Sequence, residues 1–227
     1  MEELDFTKGF KGRTINTPYG KVPIYEGKVA GKEVVFLVRH GRVNLLPSEI
    51  NYRANITVLK KVGVGEIITS AAVGAINRKM HPGDFATLSD FIDFTRGKRE
   101  TFTSHSFIDM SSPYDAGLNA LILKAAKKLE LKIRRDAVYA CAEGPRFETR
   151  AEIRAMARLG ADVVGMTQVP EVVLAAEAGI PYAAIAVVTN YAAGVVNKKI
   201  DPNHVVAAMR DKSKILSRLI LEVIKRI

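Results

Sequence analysis

Four short stretches of this chain carry side chains that could do chemistry at the edge of a sheet. The first is Glu143-Gly144-Pro145-Arg146-Phe147-Glu148-Thr149-Arg150. An apolar run, residues 137–142, enters it and reads as a buried strand; residues 151–159 leave it with helical spacing and stop at Gly160. Thr149 and Glu152 stand in the T-x-x-E relation of a capping box, so the helix is expected to start at Thr149. The carboxylate of Glu148 and the ring of Phe147 are thereby held at a strand-to-helix junction, where open α/β folds bind ligands. The alternative is a surface turn with a solvated Glu148 and a core Phe147. The second stretch is Arg39-His40-Gly41, after a strand candidate at 33–38. A cation and an imidazole beside a flexible glycine suit an anion, or else they simply leave the sheet. Thr167 is the third, placed to cap a helix running to Ala178. A helix N-terminus with a hydroxyl can hold an anion, and as a plain cap it needs none. Asn190 is the fourth, at the end of a buried strand that begins at Pro181.

The elements that must position these groups alternate in type. Strands are expected at 33–38, 66–70, 85–88, 137–142, 162–166 and 181–188, with a further hairpin strand at 21–29. Helices are expected at 49–62, opened by Pro47 and Ser48, from Asp115 along Leu118, Leu121, Ile122, Ala125 and Leu129, and from Asp201-Pro202 to the end of the chain. Ala71-Ala72-Val73-Gly74, past the strand at 66–70, lets either a ligand approach the backbone or a helix pack tightly. Residues 89–113 read as an irregular loop long enough to be functional. No repeat or linker divides the 227 residues, so a single α/β domain over 1–227, with a mixed central sheet flanked by helices, is expected. Arg39, His40, Glu148, Thr167 and Asn190 then fall at strand ends and converge on one edge.

Composition narrows the function classes. Hydrophobic residues make up 48% and charged residues 26% of the chain, the balance of an ordinary globular protein with a sizeable core. The formal charge of +10 is spread along the sequence and mixed with acids. No basic run carries interleaved aromatics, which argues against nucleic acid as a partner. No apolar run is long enough for a membrane span and the N-terminus is not a signal peptide, so a cytoplasmic address is expected. The lone Cys141 sits within a strand as a small buried hydrophobe. None of the four histidines pairs at metal-ligand spacing, so no metal site is expected. There is no G-x-G-x-x-G, P-loop or G-x-S-x-G pattern.

Several motifs occur together and in order. They are Arg39-His40-Gly41-Arg42, then Pro47 with Ile50-Asn51-Tyr52-Arg53-Ala54-Asn55-Ile56, Pro82-Gly83-Asp84 and Phe91-Ile92-Asp93. Glu143-Gly144-Pro145-Arg146-Phe147 and Gly165-Met166-Thr167 with Val169-Pro170-Glu171 follow. From about Thr17 to the C-terminal helix the chain resembles the trimeric purine nucleoside phosphorylases, especially their methylthioadenosine phosphorylase branch. The resemblance implies a homotrimer or hexamer that cleaves a purine nucleoside with inorganic phosphate and uses neither metal nor organic cofactor. It implies that Arg39, His40 and Thr167 hold phosphate, helped by the backbone around Ala72. Phe147 would lie against the base and Met166 against the ribose, and Phe107 would reach a neighbouring subunit's site. Glu148 would accept N1–H of a 6-oxopurine and Asn190 would serve N7 and O6. The adenine-specific branch has an aspartate where Asn190 stands and a second acid two positions on, where this chain has Ala192. Inosine and guanosine are therefore the expected substrates. Pro202 and Val205 suggest an apolar pocket for the 5′ substituent, with His204 as a polar alternative. The chain also departs from the family. It starts beyond the usual first strand and Gly-Gly-Ser-Gly-type phosphate loop, Ala71 lacks a side-chain donor, and Asn44 replaces a frequent histidine.

Overall fold

A computed structural model describes residues 7–41, 43, 45–96, 101–102 and 107–227. Two sheets organise them. The smaller is an antiparallel meander of β1 (Lys11–Thr17), β2 (Gly20–Val29) and β3 (Lys32–Phe36). The sequence gives little sign of β1, because most of its residues are exposed and polar. Pairing with β2 holds it, and the Arg13 guanidinium meets the Glu26 carboxylate across the ladder at 2.5 Å. The turn between β1 and β2 is tied by Thr17, whose Oγ1 accepts the Tyr19 N–H at 3.1 Å.

The larger sheet closes on itself. Its strands are β4 (Ile67–Ala75), β5 (Phe85–Asp93), β6 (Ile133–Cys141), β7 (Val163–Gly165) and β8 (Tyr182–Tyr191), in the order β4-β7-β6-β5-β8, with β8 returning to β4. Pairings β4–β8, β5–β6 and β6–β7 are parallel; β4–β7 and β5–β8 are antiparallel. The expected mixed sheet is present, and closure into a barrel is what the sequence does not announce. Strand β5 runs on to Asp93, which corrects the irregular loop expected from residue 89.

Strand β8 shows why closure is stable. Ala183, Ile185 and Val187 pack against Leu118 and Ile122 of α2 (Ala116–Lys128) and Leu216, Leu219 and Val223 of α5 (Pro202–Ile224). Alternating with them, Ala184, Ala186 and Val188 join Ala71, Val73, Tyr139 and Val172 in the main core. Successive side chains point to opposite faces, so a strand covered on both sides must be apolar throughout. A third cluster seats Ile153 and Met156 of α3 (Arg150–Arg158) on Ala140 and Val164.

Two helix starts are informative. The expected capping box of α3 is present: Thr149 Oγ1 accepts the Glu152 N–H at 3.1 Å, and Glu152 accepts the Thr149 N–H at 2.7 Å. By contrast, α1 (Tyr52–Lys61) begins later than Pro47 and Ser48 suggest, because Asn51 is the cap and accepts the Ala54 N–H at 3.0 Å. Among the described residues no helix is long and apolar enough to cross a membrane.

Candidate active site

A cavity of about 1240 Å³ runs along β4 from Ile67 to Gly74, between β3 and α5, and reaches the ends of β7 and β8. Arg39, His40, Ala72, Phe147, Glu148, Met166, Thr167 and Asn190 all line it. Thr167 and Asn190 reach it from the ends of β7 and β8, whereas Arg39 and His40, expected at a strand end of the same sheet, follow β3 of the separate meander. Phe107 does not take part: its side chain is fully exposed on the surface of its own chain. Asn44 and Arg42 lie outside the described residues.

Arg39 is held from several sides. Its Nε and Nη2 donate to the two carboxylate oxygens of Glu171 at 2.5 and 2.7 Å, Nη1 donates to the Ser70 carbonyl at 3.2 Å, and Nη2 also meets Thr69 Oγ1. Burial alone would lower the Arg39 pKa, but the charge and hydrogen bonds of Glu171 outweigh it and the net shift is upward. Glu171 sits in α4 (Gln168–Glu177) and is itself buried. Its Oε1 also accepts the Tyr182 hydroxyl at 2.7 Å. Behind it, Tyr114 donates to Gln168 Oε1 at 3.2 Å, and the Tyr182 oxygen lies 3.3 Å from the same atom. Sequence reasoning misses this network, although a signal exists: Glu171, Leu174 and Ala175 share one face at i, i+3 and i+4, which places an acid among apolar neighbours.

His40 is fixed by its Nδ1, 2.8 Å from the Leu45 carbonyl. A carbonyl only accepts, so Nδ1 carries the hydrogen and Nε2 of the neutral ring is left as an acceptor. Burial lowers the His40 pKa, the Leu45 bond raises it less, and the net shift is downward. The ring is therefore neutral at pH 7. Thr167 corrects another expectation. It occupies the cap position of α4, but its side chain makes no cap hydrogen bond, and Val169 (φ −103°, ψ 130°) breaks the first turn. The Thr167 N–H donates to the Tyr139 hydroxyl at 3.3 Å. That ring requires Gly165, where a Cβ would sit 2.2 Å from the Tyr139 oxygen. Ala72 is exposed toward the cavity. On the side of β4 away from β8, β7 pairs only with Gly74 and Ala75, so the stretch before them has no strand partner there among the described residues.

The remaining lining residues include an aromatic ring, a carboxylate and an amide. Phe147 is half-buried, and Glu148 is buried with its Oε1 lacking any hydrogen-bond partner among the described residues. Burial is the main reason that the Glu148 pKa is raised; the nearby Glu152 charge adds to it, while its own backbone and Arg146 act against it. Asn190 is oriented on both ends. Its Nδ2 donates to the Tyr191 carbonyl at 2.9 Å, and its Oδ1 lies 2.9 Å from Thr189 Oγ1. The β4–β8 ladder slips just here: Val73 pairs with Val188 but Gly74 pairs with Asn190, leaving Thr189 as an extra residue on β8. Gly74 gives the amide room, since a Cβ there would lie 3.3 Å from Asn190 Nδ2. Met166 packs against Gly144, which has φ +68° and where a Cβ would meet Met166 Sδ at 2.6 Å. Val205, Val206 and Met209 of α5 supply an apolar wall. His204, with its side chain largely exposed beside Asp201, does not line the cavity.

Residues 2–225 match the Phosphorylase superfamily. The chain belongs to that superfamily. It is 46% identical over 222 residues to the 6-oxopurine nucleoside phosphorylase of Pyrococcus furiosus, covering 93% of this chain and 84% of that one. It is 38% identical over 229 residues to the S-methyl-5′-thioadenosine phosphorylase of Thermofilum pendens, covering 98% and 87%. Among solved structures, the methylthioadenosine phosphorylase of Schistosoma mansoni in complex with adenine superposes with a TM-score of 0.90 at 30% identity. The match covers 94% of this chain and 84% of the other.

Proposed function

We propose that the protein cleaves purine nucleosides with inorganic phosphate, preferring the 6-oxopurines inosine and guanosine, and releases free base and ribose 1-phosphate for purine salvage. The observation that carries the base preference is Glu148, a buried carboxylate whose Oε1 has no protein partner and which shares a cavity with Asn190. A 6-oxopurine offers N1–H to such an acceptor, whereas adenine offers a lone pair at N1. In this reading Arg39, His40, Thr167 and the backbone at Ala72 hold phosphate against the anomeric carbon. A phosphate oxygen forms the new C1′–O bond as the C1′–N9 bond breaks, and N9 leaves with the bonding electrons. Asn190 stabilises the charge that spreads to N7 and O6, and Glu148 anchors N1–H. Phe147 stacks on the base and Met166 packs on the ribose. Positioning and charge stabilisation then supply the rate, with phosphate as the nucleophile and no metal or organic cofactor called for by the chemistry.

The similarity to 6-oxopurine nucleoside phosphorylase supports this assignment. A second reading, cleavage of methylthioadenosine or methylthioinosine, is favoured by the apolar wall of Val205, Val206 and Met209, which suits a thioether in place of a 5′-hydroxyl. We further propose a cytoplasmic homotrimer, or a hexamer built from trimers, in which the exposed Phe107 completes a neighbour's site. The test is release of hypoxanthine from inosine with and without phosphate. Release only with phosphate is expected; equal release without it makes the protein a hydrolase. Inosine binding with no turnover in either condition makes it a non-catalytic relative.

A further inference from the structure

We infer that Glu171 is the positioning residue of the phosphate subsite, fixing the plane of the Arg39 guanidinium so that one N–H faces the cavity. The inference rests on the phosphate role proposed above for Arg39. A guanidinium has five N–H donors in a rigid fork. Glu171 takes two of them, Thr69 Oγ1 and the Ser70 carbonyl take two more. The second hydrogen of Nη1 is left without a partner among the described residues. A bidentate carboxylate defines the orientation of the fork as well as its position, and the pair is largely withdrawn from water, with side-chain exposures of 12% and 7%.

Stability is a poor explanation for this arrangement. A buried ion pair returns little more than the cost of desolvating it. Here the carboxylate is itself braced by the Tyr182 hydroxyl, which is in turn within hydrogen-bond reach of Gln168 Oε1. Such a chain of contacts makes sense when the direction of one donor matters. It also sets the charge of the subsite. With Arg39 balanced by Glu171 and a neutral His40 beside it, the anion meets directed donors instead of a free positive charge. A pure counter-charge role for Glu171 and a positioning role therefore predict opposite signs. Removing a counter-charge strengthens phosphate binding, whereas removing the positioner weakens it.

Calorimetric titration with inorganic phosphate, alongside steady-state kinetics on inosine, separates the two. Glu171→Gln should weaken phosphate, raising its Kd and KM about 10–100-fold, the range of one hydrogen bond to a charged group. The KM for inosine should stay within about twofold of wild type, since Glu171 does not touch the base part of the cavity in this reading. Glu171→Asp, which keeps the charge with a shorter reach, should recover part of the loss. Tyr182→Phe, which removes only the brace, should cost about 2–10-fold in phosphate affinity with an intact melting transition. If Glu171→Gln does not fold, the Asp and Tyr182→Phe variants decide. Unchanged or tighter phosphate binding in the folded variants overturns the inference, as does a wild-type protein that binds no phosphate. A wild type that binds phosphate but turns over no nucleoside defeats the functional reading alone, and the Kd comparison still judges Glu171.

Discussion

Replacing Glu148 with Gln should separate activity from stability. In the folded protein Glu148 is buried, its Oε1 is unpartnered, and its pKa lies above the ordinary carboxylate value chiefly because of burial. A folded pKa above the unfolded one means that the stability this group lends is fully present at acid pH. It is lost as pH rises through the raised value. Once ionised, the buried carboxylate is therefore a liability to the fold. A neutral amide of the same shape removes that liability, so Glu148→Gln should melt at or above the wild-type temperature at pH 7. Its kcat/KM for inosine should fall about 10–150-fold, corresponding to about 1.5–3 kcal/mol for a hydrogen bond to a charged partner. The wild-type kcat/KM should also decline on acidification at a pH above that of an unperturbed carboxylate, about 4.3, as N1–H loses its ionised acceptor. Glu148→Gln should lack that acid limb. Differential scanning calorimetry and initial rates of inosine cleavage between pH 4.5 and 8 (about three units around the expected limb) test both halves. A variant that keeps its inosine activity within about twofold, or that loses stability together with activity, refutes the reasoning.

Other predictions follow from neighbouring geometry. Asn190→Asp should depress inosine cleavage and raise adenosine cleavage relative to it, because a carboxylate cannot donate to O6; a wild-type preference for methylthioadenosine over inosine would instead promote the second reading. Gly165→Ala, whose Cβ would lie 2.2 Å from the Tyr139 hydroxyl, should lower unfolding free energy by about 1–3 kcal/mol in urea titration and raise the phosphate KM through the displaced Thr167. Thr149→Ala removes the cap of α3 and should cost about 1 kcal/mol, read as a lower urea midpoint. Light scattering should give the mass of a trimer or a multiple of it, and a fully active monomer would remove Phe107 from any shared site.

What could be read from the sequence depended on how local the cause was. The capping box of α3 lies in four consecutive residues, Thr149 to Glu152, and its hydrogen bonds are those the spacing predicts. The strand character of β8 was equally plain, because a strand covered on both faces cannot hide its composition. Strand β1 was not, since an exposed polar edge gets its stability from β2. Thr167 and Ser48 both looked like caps. The first turns out to head a helix with a broken initial turn, and the second loses the role to Asn51, whose amide also reaches back to the Tyr19 carbonyl. Closure of the barrel and the Arg39–Glu171 pair link residues more than a hundred positions apart, and no local pattern encodes such meetings. That Thr167 and Asn190 share a cavity was legible because α/β topology carries strand ends to one edge, whereas Arg39 and His40 arrive there from the separate meander.

The extra residue in β8 has a consequence for how this site can change over time. Thr189 has no Cα partner on β4, and its Oγ1 lies 3.2 Å from the Val73 carbonyl and 2.9 Å from Asn190 Oδ1, so the bulged residue itself helps to hold the amide. If Asn190 reads the base as proposed, recognition is written in a residue count as well as in residue identity. Point substitutions at Asn190 can drift through related purines while the frame holds. A one-residue deletion at Thr189 would instead remove the bulge and the Oγ1 contact to Asn190 Oδ1 while keeping Asn190 opposite Gly74, loosening the amide without changing its identity. Substitution at Asn190 therefore alters which base is read, and deletion at Thr189 alters how firmly it is held.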